Sequence, residues 1–227
     1  MGGSEWLLAI IDLDIGKFDS GEEHYLKYLQ IFLQSTTSPK GDSAIYYVYN
    51  GFLNIRKGRI DSVKVQLNRV KILLQELPSS SLFQTQYWYD CLNEELLLSE
   101  KDYEGAIGYF KKSKPMEIPE FQFPEVLLYN IPFYHDYLAR AYIGLGKTDE
   151  AINEYERLIT FNPNGNDRRL IHPKYHYFLA MLYEKKGLKD KAIEQYRKFL
   201  ELWENADSIF PEPADAKKRL DNLLKHK

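Results

Sequence analysis

The sequence contains a single cysteine, no long apolar run and no block of like charge. With only Cys91 present, no internal disulfide can form, which predicts a cytoplasmic location, with the periplasm as the alternative. No stretch reaches the length of a membrane span, and the apolar run at 6–11 is too short for a signal peptide. The net charge of −3 argues against a nucleic-acid-binding surface, because such surfaces are usually basic.

Glycine and proline are modest, at 13 and 10 of 227 residues, whereas tyrosine is abundant at 18. An apolar content of 44% is enough for a continuous core, and the tyrosines suit packed helices with amphipathic aromatic ridges. Residues 1–4 resemble an expression leader, so we expect that the chain was cut from a longer protein. The composition therefore predicts packed helices rather than a disulfide-linked or membrane-embedded fold.

One pattern occurs twice with the same internal spacing, shifted by 41 residues. The two copies are Tyr142-x-x-x-Gly146-x-x-x-x-Ala151-x-x-x-Tyr155 and Tyr183-x-x-x-Gly187-x-x-x-x-Ala192-x-x-x-Tyr196. A fixed internal period is typical of stacked supersecondary units, each of which packs on its neighbours. The repetition therefore predicts a scaffold and says little about what the scaffold holds.

The turn within this pattern can be followed back along the chain, at spacings of 42, 43, 45 and 41 residues. Its five copies are 16–19, 58–61, 101–104, 146–149 and 187–190, and four of them begin with glycine. Glycine can adopt the left-handed conformation that ends a helix. The acidic residue at the fourth position favours the start of the next helix, through capping and the helix dipole. Each copy is therefore expected to join the two helices of one pair.

These turns divide the chain into five predicted helix pairs and a last helix. The pairs are 4–15 with 18–35, 42–57 with 60–77, 82–100 with 103–113, 132–145 with 148–161 and 173–186 with 189–205, and the last helix is 213–226. Clustered prolines predict an irregular connection at 113–131. The predicted organisation is thus degenerate repeats at 5–112, this connection, two well-formed repeats at 132–205 and a capping helix within 206–227.

The residues of the two best units resemble the tetratricopeptide repeat family. The first runs from Pro132 to Pro163 and carries Leu138, Ala139, Tyr142, Ala151, Tyr155 and Leu158 at the family positions. The second carries Leu179, Ala180, Tyr183, Ala192, Tyr196 and Phe199, with Glu204 in place of the closing proline. The resemblance implies an all-α, right-handed superhelix (an α-solenoid) of about five helix pairs.

The long period of 41–45 residues is similar to that of sensor regions in some bacterial signalling proteins. The last two units also resemble tetratricopeptide regions that follow kinase or cyclase domains in bacteria. This resemblance implies a module that works as part of a larger protein.

In this family, certain first-helix positions line a concave face where ligands bind. The resemblance places that predicted groove at Phe52, Ile55, Trp88, Glu95, Asp136, Arg140, Tyr177 and Met181. An apolar and aromatic floor with a few charges suits an extended or helical peptide. The alternative is that these aromatic residues pack against neighbouring repeats or a capping segment.

One variant of the family binds acidic C-terminal tails through a clamp of lysine, asparagine and arginine. The matching positions here carry Val48, Phe52, Leu92, Phe133 and Tyr137. The clamp residues are missing, so the sequence argues against binding of chaperone tails.

Three other local patterns could indicate phosphate binding, metal binding or catalysis, but a structural role explains each of them more simply. Ala141-x-x-x-x-Gly146-Lys147-Thr148 fits a relaxed phosphate-binding pattern, but the preceding residues are helical in pattern and the glycine belongs to the repeat turn. The histidine pair His172 and His176 lacks an evident third metal ligand, so we predict a capping or packing role. Cys91 has no recognisable base nearby, so we predict that it packs between helices.

The sequence therefore predicts a non-catalytic scaffold that binds a protein or peptide partner in the groove and needs no cofactor or metal. The first alternative is a sensor module that binds a small molecule or peptide and regulates an attached signalling domain. It predicts a closed pocket near 113–130. An enzyme would need a cluster of perturbed titratable groups in a cleft, and the sequence offers no candidate for one.

Overall fold

The structure is a computed structural model that describes residues 2–32, 39–113, 135–160, 171–206 and 209–225. Within these ranges every regular element is an α-helix, which confirms the all-α prediction. The helices are α1 Gly2–Asp14, α2 Phe18–Phe32, α3 Pro39–Arg56, α4 Ile60–Leu74, α5 Ser79–Ser99, α6 Tyr103–Phe110, α7 Tyr137–Gly144, α8 Thr148–Ile159, α9 Pro173–Lys185, α10 Lys189–Leu202 and α11 Glu212–Lys225.

The helix ends lie within three residues of their predicted positions, except the start of α7, which is five residues later, and the end of α6 has a consequence for its pair. Helix α6 ends at Phe110 rather than 113, so its pair has a much shorter second helix than first helix. Helix α7 begins at Tyr137 rather than 132, after Asp136 at its N-cap, while 132–134 lie outside the described residues. Pro39, placed between helices by the sequence, is the first residue of α3, where a missing N–H costs nothing.

All five turns share one backbone geometry. Gly16, Gly58, Gly146 and Gly187 have φ between 70° and 81°, and Lys101 takes the same left-handed conformation at φ 62°. The N–H of the next residue donates to the carbonyl oxygen five residues earlier, at 2.8–2.9 Å in each of the five turns. This is the hydrogen bond of a Schellman motif, which satisfies a carbonyl at the end of the first helix. The predicted turns are therefore confirmed, including the one without glycine.

The predicted role of the acidic turn residues is only half correct. All five lie in the first turn of their helices, where the helix dipole favours a negative charge. Capping is different: of the four described N-caps of second helices, only Asp102 accepts a backbone N–H, from Gly105 at 2.9 Å.

A polar pair recurs at the end of the helix pair opposite to the turn. Counted from the residue with positive φ in the turn, one partner lies eleven positions earlier, on the first helix, and the other lies eight positions later, on the second helix. The three examples are Glu5 Oε2 with His24 Nδ1 at 2.7 Å, Asp90 Oδ1 with Tyr109 OH at 2.8 Å and His176 Nδ1 with Gln195 Oε1 at 2.7 Å. The turn and this pair therefore fix the two helices at both ends.

Contacts divide the chain into two compact units, Met1–Glu117 and Ile118–Lys227. The boundary falls within the predicted irregular connection, of which 114–131 lie outside the described residues. In the first unit, Tyr25 and Tyr49 stack at 3.9 Å between ring centroids and join α2 to α3. Ala106 is also buried, at the position that Ala151 occupies in its own helix pair, so this unit combines a small residue there with the aromatic packing.

In the second unit, the core consists of the residues that carry the family resemblance. Ala151 and Ala192 are fully buried where the paired helices cross, and Tyr155, Tyr196 and Phe199 are among the largest fully buried side chains. Close-packed small and aromatic residues of this kind leave little room for substitution.

Helix α11 packs on α10 in the way that α9 packs on α8. It therefore stands where the first helix of a further repeat would stand. Ala216 is fully buried, and Leu220 and Leu223 pack on the core of the unit. Leu224, the next residue, is 41% exposed. Among the described helices, none is long and apolar enough to cross a membrane.

Candidate partner-binding surface

Seven of the eight predicted groove residues belong to first helices and Asp136 is the N-cap of α7, but most of the eight are covered. Five are buried: Phe52, Trp88, Glu95, Asp136 and Tyr177. Ile55, Arg140 and Met181 are half-buried. The accessible part of the predicted groove within the described structure is therefore mostly these three side chains.

Asp136 is the most deeply buried of the eight, at 1% exposure, and it organises its surroundings. Its Oδ1 accepts from Arg140 Nε at 2.8 Å, and its Oδ2 accepts from the hydroxyl of Tyr155 at 2.9 Å. The guanidinium of Arg140 also lies over the Tyr137 ring, 5.2 Å from its centroid. Asp136 therefore orients Arg140, whose side chain is 32% exposed.

Tyr177 has a structural partner in the C-terminal helix. Its hydroxyl donates to Asp215 Oδ2 at 2.7 Å, and the same oxygen accepts from Arg219 Nε at 2.5 Å. Arg219 also reaches Glu184 Oε2 at 3.0 Å. Helix α11 is thus attached to α9 by a polar network as well as by its apolar face.

Tyrosine hydroxyls hydrogen-bonded to carboxylates recur through the described structure. Besides the pairs of Tyr155 and Tyr177, Tyr109 donates to Asp90 at 2.8 Å, Tyr196 to Glu184 at 2.7 Å and Tyr183 to Glu156. Burial, and then the neighbouring carboxylate, raises the pKa of each of these five tyrosines well above its ordinary value. These phenols are therefore structural donors and not acids poised for catalysis at neutral pH.

An open cleft of about 530 Å³ lies beside α5 and α6 in the first unit. It forms because α5 has 21 residues and α6 has 8, so α6 leaves the first turns of α5 uncovered. Its lining residues are Ser79, Leu82, Phe83, Gln86, Tyr87, Asp90, Tyr109, Lys112 and Ser113. Leu82 and Phe83 are 36% and 45% exposed and provide an apolar wall.

Asp90 is the buried polar group of this cleft. Its Oδ1 accepts from Tyr109 OH at 2.8 Å and from Gln86 Nε2 at 2.9 Å. Burial raises the pKa of the Asp90 carboxyl above its ordinary value, although these two hydrogen bonds act in the opposite direction. The cleft can therefore receive an apolar side chain or ring that carries a hydrogen-bonding group.

None of the residues that line the cleft belongs to the predicted groove. The pocket predicted for the sensor alternative was placed near 113–130, and of that range only Ser113 lies within the described residues. A signal was present in the helix lengths: a long apolar stretch at 82–98 faces a short second helix before the prolines. The overestimated end of α6 concealed that difference.

The histidine pair, the phosphate-binding pattern and Cys91 all have structural roles or positions in the described residues. His172 Nδ1 accepts from the N–H of Lys174 at 3.2 Å and caps α9, which confirms the predicted capping role, and His176 pairs with Gln195. Gly146 and Lys147 follow a helix, not a strand, which confirms the interpretation as a repeat turn. Cys91 is buried in α5. Among the described residues, no three potential metal ligands cluster.

Models of the tetratricopeptide repeat match residues 132–164 and residues 173–205. These are the two units that the sequence marked as well formed. No curated protein matches the chain. Repeats of this family generally mediate protein–protein interaction and scaffolding, and they are generally not catalytic.

Proposed function

Because residues 132–164 and 173–205 match tetratricopeptide repeats, we propose that the chain is a non-catalytic scaffold that binds a protein or peptide partner along its first helices. One observation carries this proposal. Six residues before the turn glycine, two consecutive repeats keep accessible side chains, Arg140 and Met181. Consecutive repeats whose side chains at one register stay partly accessible can form a continuous strip along which a peptide lies.

The remaining groove residues have a supporting role in this proposal. Asp136 holds Arg140 by its Nε, and a guanidinium fixed in this way loses little side-chain entropy when it binds a carboxylate of a partner. Met181 offers a flexible apolar contact that adapts to different partner side chains. The pair therefore suits a peptide with an acidic group one repeat away from an apolar one.

The test is co-purification from lysate of the source cells, with the whole chain as bait. The variant Arg140→Gln/Met181→Gln removes the charge and the apolar contact. Arg140 pairs with the buried Asp136 and Met181 packs on the core of its unit, so the stability of this variant must be measured as well. The matched control is Arg157→Gln/Leu202→Gln, which changes the same residue classes at exposed second-helix positions. Thermal unfolding verifies that both variants remain folded.

The proposal predicts that one identified protein is retained by the parent and by the control and is lost with the groove variant. Equal retention by all three baits would place binding elsewhere on the chain. Direct titration of the purified partner must then reproduce the difference, as a Kd at least tenfold higher for the groove variant.

The cleft favours a second candidate function, a sensor that binds a small molecule or peptide and regulates an attached signalling domain. The cleft reaches Ser113, where the predicted irregular connection begins, although it is open and the sensor alternative predicted a closed pocket. A thermal-shift screen of metabolites against the parent and Phe83→Ala distinguishes the two candidates. A compound that stabilises only the parent favours the sensor, whereas the scaffold proposal predicts no such compound.

A further inference from the structure

Asp90 brings a negative charge without a counter-ion to the cleft beside α5 and α6. It is only 9% exposed, and the two groups that bond to it, the Tyr109 hydroxyl and the Gln86 amide, are neutral. Within the described residues, no basic side chain forms an ion pair with it. A buried carboxylate in this situation is stabilised by any cation that can reach it.

The second oxygen of this carboxylate is open to a ligand. Both hydrogen bonds of Asp90 end on Oδ1, so within the described part of the chain Oδ2 accepts none. Asp90 lines the cleft, and Oδ2 is not enclosed by protein atoms, so solvent reaches it. An ammonium group that enters the cleft can therefore donate to Oδ2 without displacing Tyr109 or Gln86.

The lining of the same cleft also carries a positive charge. Lys112 lies just after α6, and its backbone N–H donates to Tyr109 O at 2.9 Å, so it stays within one helical turn of the residue that bonds to Asp90. Lys112 is exposed, and in the described structure it forms no ion pair with Asp90. The cleft thus contains a buried carboxylate and an exposed ammonium group that are not paired with each other.

The rest of the lining is mostly apolar. Leu82 and Phe83 form an accessible wall, and Tyr87 contributes its ring. The volume of about 530 Å³ lies in the range of small-molecule sites, which combine apolar walls with a few polar groups. An aromatic or branched apolar side chain is the group that suits this wall.

We propose that this cleft binds a free apolar amino acid, with its ammonium group on Asp90 Oδ2, its carboxylate on Lys112 and its side chain against the wall of Leu82 and Phe83. The inference rests on the sensor candidate of the proposed function and specifies its ligand class. A simple amine would leave Lys112 without a counter-ion, and a simple carboxylate would be repelled by Asp90, so a ligand that carries both charges fits best.

Isothermal titration calorimetry of the whole chain with three ligands of similar size tests the charges. L-Phenylalanine carries both charged groups, 2-phenylethylamine carries only the cation and 3-phenylpropanoate carries only the anion. We expect L-phenylalanine to bind the parent at least tenfold more tightly than either of the others, because only this ligand pairs with both side chains of the cleft.

Two substitutions separate the two contacts. Asp90→Asn should remove the advantage of L-phenylalanine over 3-phenylpropanoate, and Lys112→Gln should remove its advantage over 2-phenylethylamine. The matched controls are Asp61→Asn and Lys111→Gln, which change the same residue types at exposed positions outside the cleft. Both controls should bind L-phenylalanine as the parent does, and thermal unfolding verifies that all four variants are folded.

The proposal is overturned if none of the three ligands binds, or if L-phenylalanine binds equally to the parent, Asp90→Asn and Lys112→Gln. The chain's own Lys114, which lies outside the described residues, is the other possible cation for Asp90. Binding of 2-phenylethylamine that appears only in Lys114→Gln would identify it as the occupant and also overturn the proposal. A metabolite of another class that stabilises the parent but not Phe83→Ala would contradict the amino-acid ligand and leave the sensor candidate standing.

Discussion

Lys101 is the residue whose backbone is least suited to its side chain. It takes the left-handed conformation that glycine takes in the other four turns. In that conformation a Cβ crowds the neighbouring carbonyl, at a cost of about 1–2 kcal/mol, whereas glycine is free of this strain but loses more backbone entropy on folding. The two terms do not cancel, so the turn at Lys101 is expected to be the least stable of the five.

We therefore expect Lys101→Gly to increase the free energy of unfolding by about 0.5–1 kcal/mol, measured by urea denaturation. The reciprocal substitution, Gly58→Lys, should lower it by about 1 kcal/mol. Nothing lies within 4 Å of a Cβ built at Gly58, so that loss would come from the backbone alone. A stabilised Gly58→Lys variant would contradict the argument.

Asp90 provides a prediction about pH. Because burial raises its pKa in the folded state, the folded chain binds more protons than the unfolded chain between the ordinary value of about 3.9 and the raised pKa. The free energy of unfolding therefore decreases as the pH rises through this window. Above the window the buried charge of Asp90 continues to destabilise the folded chain.

We expect Asp90→Asn to keep an oxygen that accepts from Tyr109 and to remove the buried charge. The variant should be more stable than the parent at pH 7, and this difference should disappear as the pH falls below about 3.9. Unfolding by urea at several pH values measures both. A difference that stays constant with pH would show that the carboxylate charge is not responsible.

At the scale of the helix, the C-terminal cap is held through Tyr177. Tyr177 lies on α9, and its hydroxyl donates a hydrogen bond to Asp215 of α11. Tyr177→Phe removes that hydrogen bond, worth about 1 kcal/mol, and leaves the ring in place. We expect faster amide hydrogen exchange in 212–225.

Tyr183→Phe is the matched control, since Tyr183 also lies on α9 but donates to Glu156 of α8. It should leave exchange in 212–225 unchanged and accelerate exchange in α8 instead. Equal effects of both substitutions on α11 would indicate a general loosening of α9 rather than a specific attachment.

The helix pairs were predictable because their turns are determined locally. A residue in the left-handed conformation with an acidic residue three positions later is recognisable in the sequence. Even the turn at Lys101, which has no glycine, was found by its spacing from the other turns. It was harder to predict which neighbouring elements bury each face of a helix. Phe52 and Trp88 were predicted to line a groove, and they are buried because neighbouring elements contact them. The register of a repeat gives the direction of a side chain but not what lies over it.

The cleft beside α5 illustrates the same limit. Its existence depends on where α6 ends, and the period of apolar residues alone did not locate that end at Phe110. The pair of Asp90 and Tyr109 was also missed, although its 19-residue separation recurs in Glu5 with His24 and in His176 with Gln195. A search for polar pairs at that separation would have found it.

At the scale of the whole molecule, the two units share small buried residues and differ in their aromatic packing. Five residues after the turn residue, the second unit has Ala151 and the first unit has Ala106, both buried. The first unit adds a cluster of large rings, with Trp6, Tyr25 and Tyr49 in mutual contact. The family models match residues of the second unit.

The bonded and buried tyrosines make the chain a reporter of its own unfolding in alkali. At least eight tyrosines have a raised pKa in the folded state. In the unfolded chain they ionise near pH 10, so above that value each favours unfolding by about 1.4 kcal/mol per pH unit. The phenolate band near 295 nm should therefore rise in two stages, first gradually from exposed rings and then abruptly as the buried rings ionise and the helices unfold together. Circular dichroism recorded in parallel should change only with the second stage, so the ultraviolet absorbance of the tyrosines would report the unfolded fraction without any added dye.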